Sequence, residues 1–382
     1  MRVVHRGFDT LEVAIRANID LQLFDYLSQE KDRAEFERRE VEIEWKGVSL
    51  LLKGHGGGGY KFIAHGGPDG AHWAIKKPNV KDPWGLRVKF GSSFMADHGL
   101  GRARAYLHDT LEKLDLRIGP NDISIGRVDF CVDFLMPGFQ LEPEDFVMHS
   151  HANRADHFAV DEEKQVNGKS GRTTSVTIGK MPGRQVIIYD KRAEIVSRHK
   201  PEWWVRWNAT LARDGLPPLD PTNPTESRVW RVELRAGKNL LKSRWGITTW
   251  ADLDDKLGDL MADTLKRVRY TAPDPHDTNR ARWPNHALWN AITAEIDADL
   301  FEMRSGAEAN AIKQVRKDEH IAMITANARG SLITLAALHK QKVDDLPRFM
   351  KRIGMEFSQY VILEQEHAAR KLSDASERYV FV

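Results

Sequence analysis

The segment 124–135 constrains the fold of this chain more than any other feature, because polar and apolar residues alternate along it. Side chains of a β-strand point to opposite faces in turn, so Arg127, Asp129 and Asp133 share one face and the intervening apolar residues share the other. A strand with one charged and one apolar face fits a sheet that packs on one side, which is typical of antiparallel sheets. The segment therefore predicts a two-faced antiparallel sheet.

Other segments extend this prediction along the chain. Strand patterns occur at 41–53, 60–64, 71–76, 86–90, 175–179, 185–189 and 229–235, and helical spacing occurs at 100–116, 307–343 and 346–372. The segment 150–172 is polar and rich in residues that break helices and strands, and it is predicted to be a loop or a mobile insertion. Strands joined by turns and followed by helices predict an α+β fold, with an antiparallel sheet core, flanking helices and a helical C-terminal part.

The same pattern divides the chain into three parts. Residues 1–118 are predicted to form an N-terminal, strand-rich part, and residues 119–250 a catalytic sheet that carries the charged strands. Residues 251–382 are predicted to form a mainly helical C-terminal region.

Composition excludes several classes of protein. The 382 residues contain one cysteine, Cys131, which rules out an intramolecular disulfide framework and a cysteine-based zinc site. No run approaches the roughly 18 consecutive apolar residues of a membrane span, and the N-terminus does not resemble a secretory signal. We therefore expect a cytoplasmic protein with no membrane partner.

The formal net charge of +2 conceals an uneven distribution. Segment 169–244 holds 16 Lys and Arg against 7 Asp and Glu, which leaves 41 basic and 48 acidic residues elsewhere. Such a stretch is typical of a surface that faces a polyanion, but it is equally compatible with a solvated basic face. Charge alone leaves both interpretations open.

Two aspartates on one strand call for an explanation, because strands are depleted in this residue. Asp129 and Asp133 lie four residues apart, about 13 Å on an ideal strand at about 3.3 Å per residue. They either point into solvent or form a polar active face. Sharing one ion would require strand curvature, a bulge or a third ligand between them.

Glu233 raises a similar question on the strand 229–235, where Arg231 and Arg235 flank it on the same face. The three side chains could form a ladder of ion pairs with a neighbouring strand. Glu233 could also be a metal ligand beside arginines that hold a phosphate. The sequence does not separate these interpretations.

Tyr189 ends the apolar strand 185–189 and is followed at once by charged residues, among them Lys191 and Arg192. A tyrosine at a strand end usually packs with its hydroxyl in water. A phenol becomes a useful nucleophile near neutral pH only when a neighbouring cation or base assists it. Lys191 and Arg192 are cations that could assist Tyr189 in this way.

Taken in order, three motifs resemble a known family. They are Arg127, Asp129, Asp133 and Phe134 on the first strand; Ile188, Tyr189, Asp190, Lys191 and Glu194 on the second; and Trp230, Arg231, Val232 and Glu233 on the third. In order and spacing this set resembles the trans-acting replication initiators of rolling-circle plasmids, a family that includes relaxases of some integrative conjugative elements. The resemblance covers roughly residues 120–245.

The resemblance implies a nicking-joining enzyme that acts on origin DNA, single-stranded or extruded at the nick. It implies that Tyr189 attacks a phosphodiester and forms a 5′-phosphotyrosine, with Lys191, Arg127 and Arg231 as catalytic cations. It further implies that Asp129, Asp133 and Glu233 bind Mg²⁺ or Mn²⁺. A host helicase and a second copy of the chain are expected as possible partners.

Two alternatives stay open from the sequence. A relaxase for conjugative transfer would use identical chemistry in another biological setting. A DNA-binding regulator could keep the same fold without cleaving, because a motif does not prove turnover.

Overall fold

The computed structural model describes residues 1–148, 164–296, 300 and 303–378. The chain divides into two compact units. The first comprises residues 1–198 and 203–307, and the second comprises residues 199–202 and 308–382.

Antiparallel β-structure dominates the first unit. The strands are β1 (Arg2–Ile15), β2 (Val41–Trp45), β3 (Val48–Leu52), β4 (Phe62–His65), β5 (His72–Ile75), β6 (Leu86–Phe90), β7 (Ile123–Leu135), β8 (Phe146–Met148), β9 (Lys164–Lys169), β10 (Arg172–Gly179), β11 (Arg184–Asp190), β12 (Val229–Gly237) and β13 (Val268–Tyr270). Eleven of them form one sheet in the order β2-β3-β4-β5-β6-β1-β7-β12-β11-β10-β9. The other two, β8 and β13, pair separately.

The helices are distributed over both units. They are α1 (Leu21–Glu37), α2 (Ser92–Lys113), α3 (Lys191–Ser197), α4 (Glu202–Arg213), α5 (Trp250–Arg267), α6 (Ala287–Ile296), α7 (Ala309–Leu338), α8 (Leu346–Leu363) and α9 (Gln365–Arg378). A π-helix spans Asn239–Arg244, and short 3₁₀ turns lie at Pro120–Asp122, Pro143–Asp145, Arg280–Arg282 and Val343–Asp345.

The two longest strands, β1 and β7, form the centre of the large sheet. Their antiparallel register runs from Arg2 opposite Leu135 to Ile15 opposite Ile123. The register shifts at three irregularities, and the one between Phe8 and Thr10 leaves Asp9 without a direct partner on β7. A bulge of this kind redirects a side chain, and here it belongs to an acidic residue in the middle of the sheet.

The large sheet has two different faces. Phe130 and Val132 of β7 and Leu234 of β12 lie fully buried in the main core, together with residues of α2, α5 and α6. The intervening residues of β7 and β12 are charged and point to the opposite face. That opposite face is partly covered by α4, whose Trp207 contacts Asp133.

The predicted α+β fold with an antiparallel sheet core and a helical C-terminal part is confirmed. The prediction of a loop over 150–172 is wrong for its second part, where β9 and the start of β10 pair with each other. The side chains of β9 are largely exposed and polar, as edge strands often are, so they lack the apolar alternation that marks a strand. Residues 150–163 of that segment lie outside the described residues.

One further element differs from the sequence patterns. The predicted helix over 346–372 is two helices, α8 and α9, separated at Glu364. The predicted boundaries after residues 118 and 250 stay predictions.

One helix among the described residues, α7, is long and apolar enough to cross a membrane by length and composition alone. Its most apolar 18-residue window has a mean hydropathy of 1.4, and 6% of that window is buried. A single helix of this kind is only a weak indication of a membrane span. The absence of a membrane partner therefore stays a prediction.

Candidate active site

The charged face of the sheet brings the three motif strands together. Arg231 of β12 lies between Asp133 of β7 and Tyr189 of β11 in the register. Paired residues of neighbouring strands point to the same face, so all three side chains lie on one side of the sheet. Two residues further along each strand, Glu233 lies opposite Cys131. Another two residues along, Arg235 lies opposite Asp129. This side of the sheet is called the polar face below.

Three carboxylates meet on the polar face. Oxygens of Asp9, Asp129 and Glu233 all lie within 4.8 Å of one another. Asp129 and Glu233 are almost completely buried, whereas the side chain of Asp9 is 17% exposed. Three hard oxygen donors at this spacing could hold a divalent cation. These three residues are called the acidic cluster.

Burial changes the ionisation of this cluster. Desolvation raises the pKa of Asp129 to about 7, with the charge of Glu233 adding to the effect against the opposing ion pair with Arg127. Desolvation and the charge of Asp9 also raise the pKa of Glu233. Buried carboxylates that repel each other are stabilised in their charged form by a bound cation. The donor set therefore fits a divalent metal ion.

Each carboxylate of the acidic cluster is also held by an arginine. Arg127 donates from Nε and Nη2 to Asp129, with a shortest distance of 2.6 Å. Arg235 Nε donates to Glu233 Oε1 at 2.6 Å. The third contact runs from Arg231 Nη1 to Asp9 Oδ1 at 2.6 Å. These bonds orient the carboxylates and still leave oxygen lone pairs for a cation.

Asp133 lies apart from this cluster and binds Arg231. Arg231 donates to both Asp133 oxygens, at 2.5 and 2.8 Å, and Trp207 Nε1 donates to Asp133 Oδ2 at 2.8 Å. Both charged residues are fully buried. Although burial opposes its charge, Arg231 lowers the pKa of Asp133, because a bidentate pair favours the ionised form. Trp203 covers the guanidinium, whose central carbon lies 4.3 Å from the ring centre.

Tyr189 stands where β11 turns into α3. The next residue, Asp190, caps α3 by accepting a hydrogen bond from Ala193 N at 2.9 Å, and it also binds Arg172 Nη2 at 2.8 Å. Aspartate is a preferred helix cap, so the sequence ends the strand directly after the tyrosine. Burial raises the pKa of Tyr189 well above its ordinary value, and the charge of Arg231 opposes that rise.

Lys191 is a buried cation beside the tyrosine ring. Its side chain is 2% exposed, and Nζ donates to Glu194 Oε2 at 2.7 Å. The same Nζ lies 5.7 Å from the ring centre of Tyr189 and 4.6 Å from that of Trp203. Burial and the charge of Arg231 lower the pKa of Lys191, so it releases its proton more readily than an ordinary lysine.

The comparisons with known proteins give little support beyond this geometry. No protein-family model and no curated protein sequence matches the chain. Among solved structures, the chain is similar to a rolling circle replication initiator protein from Geobacillus stearothermophilus, with 14% identity and a TM-score of 0.40. That match covers 80% of this chain and 99% of the other. A TM-score of 0.40 does not establish a common fold, so the function proposed below rests on the polar face itself.

The structure brings most of the sequence-predicted residues together. Arg127, Asp129, Tyr189, Lys191, Arg231 and Glu233 all belong to the polar face or border it. Asp133, which the motif places among the metal ligands, binds Arg231 and Trp207 and is not one of the three clustered carboxylates. Sequence reasoning missed Asp9, which takes the third place in the acidic cluster. Its only signal in the sequence is an aspartate within a strand, a residue type that strands usually lack.

Proposed function

We propose that this protein is a metal-dependent DNA nicking-joining enzyme that initiates rolling-circle replication. The observation that carries the proposal is the polar face, which brings a tyrosine, two buried cations and three clustered carboxylates together. A nucleophile, a cation site and fixed positive charges are the parts that phosphodiester cleavage requires.

In the proposed step, Tyr189 Oη gives up its proton and attacks the phosphorus of one phosphodiester. The bond from phosphorus to the 3′ oxygen breaks, and that oxygen takes a proton and leaves as a 3′-hydroxyl. The phosphate stays on the tyrosine as a 5′-phosphotyrosine. Joining is the reverse, in which a 3′-hydroxyl attacks and Tyr189 leaves, so the bond energy is conserved and no ATP is needed.

Asp9, Asp129 and Glu233 would hold the metal ion, and Mg²⁺ or Mn²⁺ suits three oxygen ligands. A bound ion of this kind polarises a phosphoryl oxygen and offsets the negative charge that develops during attack. Arg127, Arg235 and Arg231 keep the three carboxylates in place by the hydrogen bonds described above.

The cations have different parts in this proposal. Lys191, with its lowered pKa and its position beside the tyrosine ring, assists the transfer of the phenolic proton. Arg127 is 22% exposed and can face the DNA phosphate while it binds Asp129. Arg231 is fully buried between Asp133 and Asp9, so we assign it as a positioning residue instead of a direct phosphate contact.

The substrate in this proposal is origin DNA, presented as a single strand or an extruded hairpin in the cytoplasm. The basic segment 169–244 contains β10, β11 and β12, and so supplies positive charge around Tyr189. A host helicase and a homodimer remain predicted partners. A conjugative relaxase would use the same site.

The experiment that tests the proposal incubates supercoiled origin DNA with the protein and Mg²⁺ or Mn²⁺. The expected product is nicked DNA with protein bound to its 5′ end, lost with EDTA and lost in Tyr189→Phe. Tyr360→Phe, on α8 of the second unit, is the matched control and should nick as well as wild type. Origin binding without any nick would contradict the proposal and favour a non-cleaving regulator.

A further inference from the structure

A separate cavity of 480 Å³ opens in the first unit, beside the ends of β1 and β7 that carry Ala14 and Ser124. Its wall includes Gly126 and Arg127 of β7, together with residues of the β10–β11 turn and of the π-helix after β12. The volume lies within the range of small-ligand pockets.

The charged residues of this cavity leave an excess of free positive charge. Arg87, Arg127, Lys238 and Lys242 line it, against Glu12 and Asp82. Both carboxylates are neutralised, because Glu12 pairs with Arg87 and Asp82 pairs with Lys76. Within the part of the chain that the structure describes, Lys238 and Lys242 form no ion pair. Two neighbouring lysines without a counter-charge are typical of a site for an anion.

An aromatic side chain accompanies these cations. Trp84 lines the cavity and is only half-buried, and Lys242 Nζ lies 5.7 Å from its ring centre. Arg16 lies 5.3 Å from the same ring. Tyr60 lines the same cavity and is also half-buried. Aromatic rings beside cations can bind the base and the phosphate of one nucleotide together, without demanding a particular base.

Arg127 links this cavity to the acidic cluster. It lines the cavity and binds Asp129, two residues further along β7, which corresponds to about 7 Å along a strand. The cavity and the acidic cluster are therefore adjacent on the sheet, so one extended single strand can contact both places. A strand that crosses the acidic cluster can therefore enter the cavity with its adjacent nucleotide.

We propose that this cavity binds one nucleotide of single-stranded DNA beside the scissile phosphate, with its phosphate held by Lys238 and Lys242 and its base stacked on Trp84. This inference rests on the proposed function, because it assigns how the strand is held at that site. The contact fixes the strand relative to Tyr189 without reading its sequence.

The first test measures binding of a fluorescein-labelled single-stranded oligothymidylate by anisotropy, in EDTA so that no cleavage occurs. The double variant Lys238→Ala/Lys242→Ala should bind at least tenfold more weakly. Its slope of log affinity against log salt should become shallower by about 0.7, the contribution of the one phosphate that both lysines are proposed to hold. Both lysines are exposed, so the variant should fold normally. Lys46→Ala/Lys113→Ala removes the same charge from two exposed lysines paired with acids elsewhere, and should change nothing.

The second test isolates stacking. Trp84→Ala should weaken binding of oligothymidylate about tenfold, within the range measured for one stacked base. The same variant should bind an abasic oligonucleotide and a duplex of equal length as wild type does. Trp84→Phe should restore most of the lost affinity, because it keeps an aromatic face.

Three results would overturn the inference. In the first, the double lysine variant and Trp84→Ala both bind single strands as wild type does, while the wild-type protein nicks its origin. That result would show that the cavity does not bind DNA, and it would leave the proposed function intact. An equal loss for base-containing and abasic strands in Trp84→Ala would show that no base stacks there. A wild-type protein that neither binds single strands nor nicks DNA would overturn the proposed function as well.

Discussion

Two aspartates on the same strand have opposite ionisation because their neighbours differ. The pKa of Asp133 is lowered, since Arg231 binds both of its oxygens and outweighs the cost of burial. The pKa of Asp129 is raised to about 7, since burial and the nearby carboxylate of Glu233 outweigh its bond to Arg127. Asp133 is therefore a permanent charge that fixes Arg231, whereas Asp129 is a carboxylate whose charge depends on a cation. This difference fits the proposed roles of Asp133 as a positioning residue and of Asp129 as a metal ligand.

The first prediction contrasts Asp9→Asn with Asp133→Asn. Asp9→Asn removes one of three charged donors and should weaken Mn²⁺ binding, measured by calorimetry, at least tenfold. Asp133→Asn leaves a buried arginine without its main partner and should lower the free energy of unfolding by about 3–5 kcal/mol. Its affinity for Mn²⁺ should stay within about threefold of wild type. The reverse pattern would place Asp133 in the metal site and remove Asp9 from it.

The second prediction concerns pH. A carboxyl group whose pKa is raised by folding contributes stability that is fully present below its unfolded pKa, near 4, and lost as the pH rises through its folded value. For Asp129 this stabilising contribution is lost as the pH rises through about 7. In EDTA, the free energy of unfolding of Asp129→Asn should therefore rise relative to that of wild type between pH 5 and pH 8, because asparagine carries no charge to desolvate.

The pH dependence of wild type has to be compared with that of Asp129→Asn, because other titratable groups change stability with pH in the opposite direction. Burial lowers the pKa of His5 to about 4, so the pH dependence from His5 runs in the opposite direction. Both proteins share His5, and its contribution cancels in the difference. Mn²⁺ should stabilise wild type more at pH 8 than at pH 6. A difference between the two proteins that does not change with pH would contradict the raised pKa.

At the scale of secondary structure, the β10–β11 hairpin positions Tyr189, the proposed nucleophile. Ser175 of β10 lies opposite Tyr189, which β12 flanks on its other side. The hairpin turn depends on Gly179, which has φ of +80°. A Cβ at this position would also lie 2.4 Å from the backbone oxygen of Arg184. A positive φ and a close backbone approach both exclude larger residues here.

The third prediction follows from that turn. Gly179→Ala should lower the free energy of unfolding by about 1–3 kcal/mol and reduce nicking, because the strand that carries Tyr189 loses its register. Gly258→Ala on α5 is a matched control, since a Cβ there meets no atom within 4 Å. It should leave both quantities unchanged or raise stability slightly. Unchanged nicking by Gly179→Ala would show that the turn does not position the tyrosine.

Sequence patterns predicted strands correctly where buried and exposed residues alternate, and they failed where burial does not alternate. The alternation in β7 and β12 is visible because one face of each strand enters the core. The strand β9 is mostly exposed, so no apolar period marks it. Asp9 escaped prediction because it lies at a bulge, and because its partners Asp129 and Glu233 are more than a hundred residues away in sequence. Contacts of that separation depend on sheet order, which no single segment encodes.

At the scale of the whole molecule, charge distribution connects the fold to its proposed substrate. The net charge of +2 is small, but three strands around Tyr189 come from the one segment with a strong basic excess. The acidic cluster draws its residues from β1, β7 and β12, so it does not coincide with that segment. Charge composition was therefore compatible with a polyanion-facing surface, whereas the acidic cluster could be found only from the three-dimensional arrangement.

The fourth prediction tests this distribution by salt titration. Affinity for origin DNA in EDTA should fall at least tenfold between 50 and 200 mM salt, because each phosphate contact releases bound counterions. Neutralising Lys238 and Lys242 should reduce the slope, whereas neutralising Lys46 and Lys113 should not. An affinity that barely changes over this range would show that phosphate neutralisation is not the main contact.

The most direct test of the central claim is to locate the covalent bond between protein and DNA. Nicked origin DNA with its attached protein is digested with nuclease and protease, and mass spectrometry identifies the peptide that carries the nucleotide. The site described here predicts a phosphodiester on Tyr189, formed with Mn²⁺ and absent with EDTA. A nucleotide on another tyrosine, such as the buried Tyr270, or nicking without any covalent adduct, would contradict it.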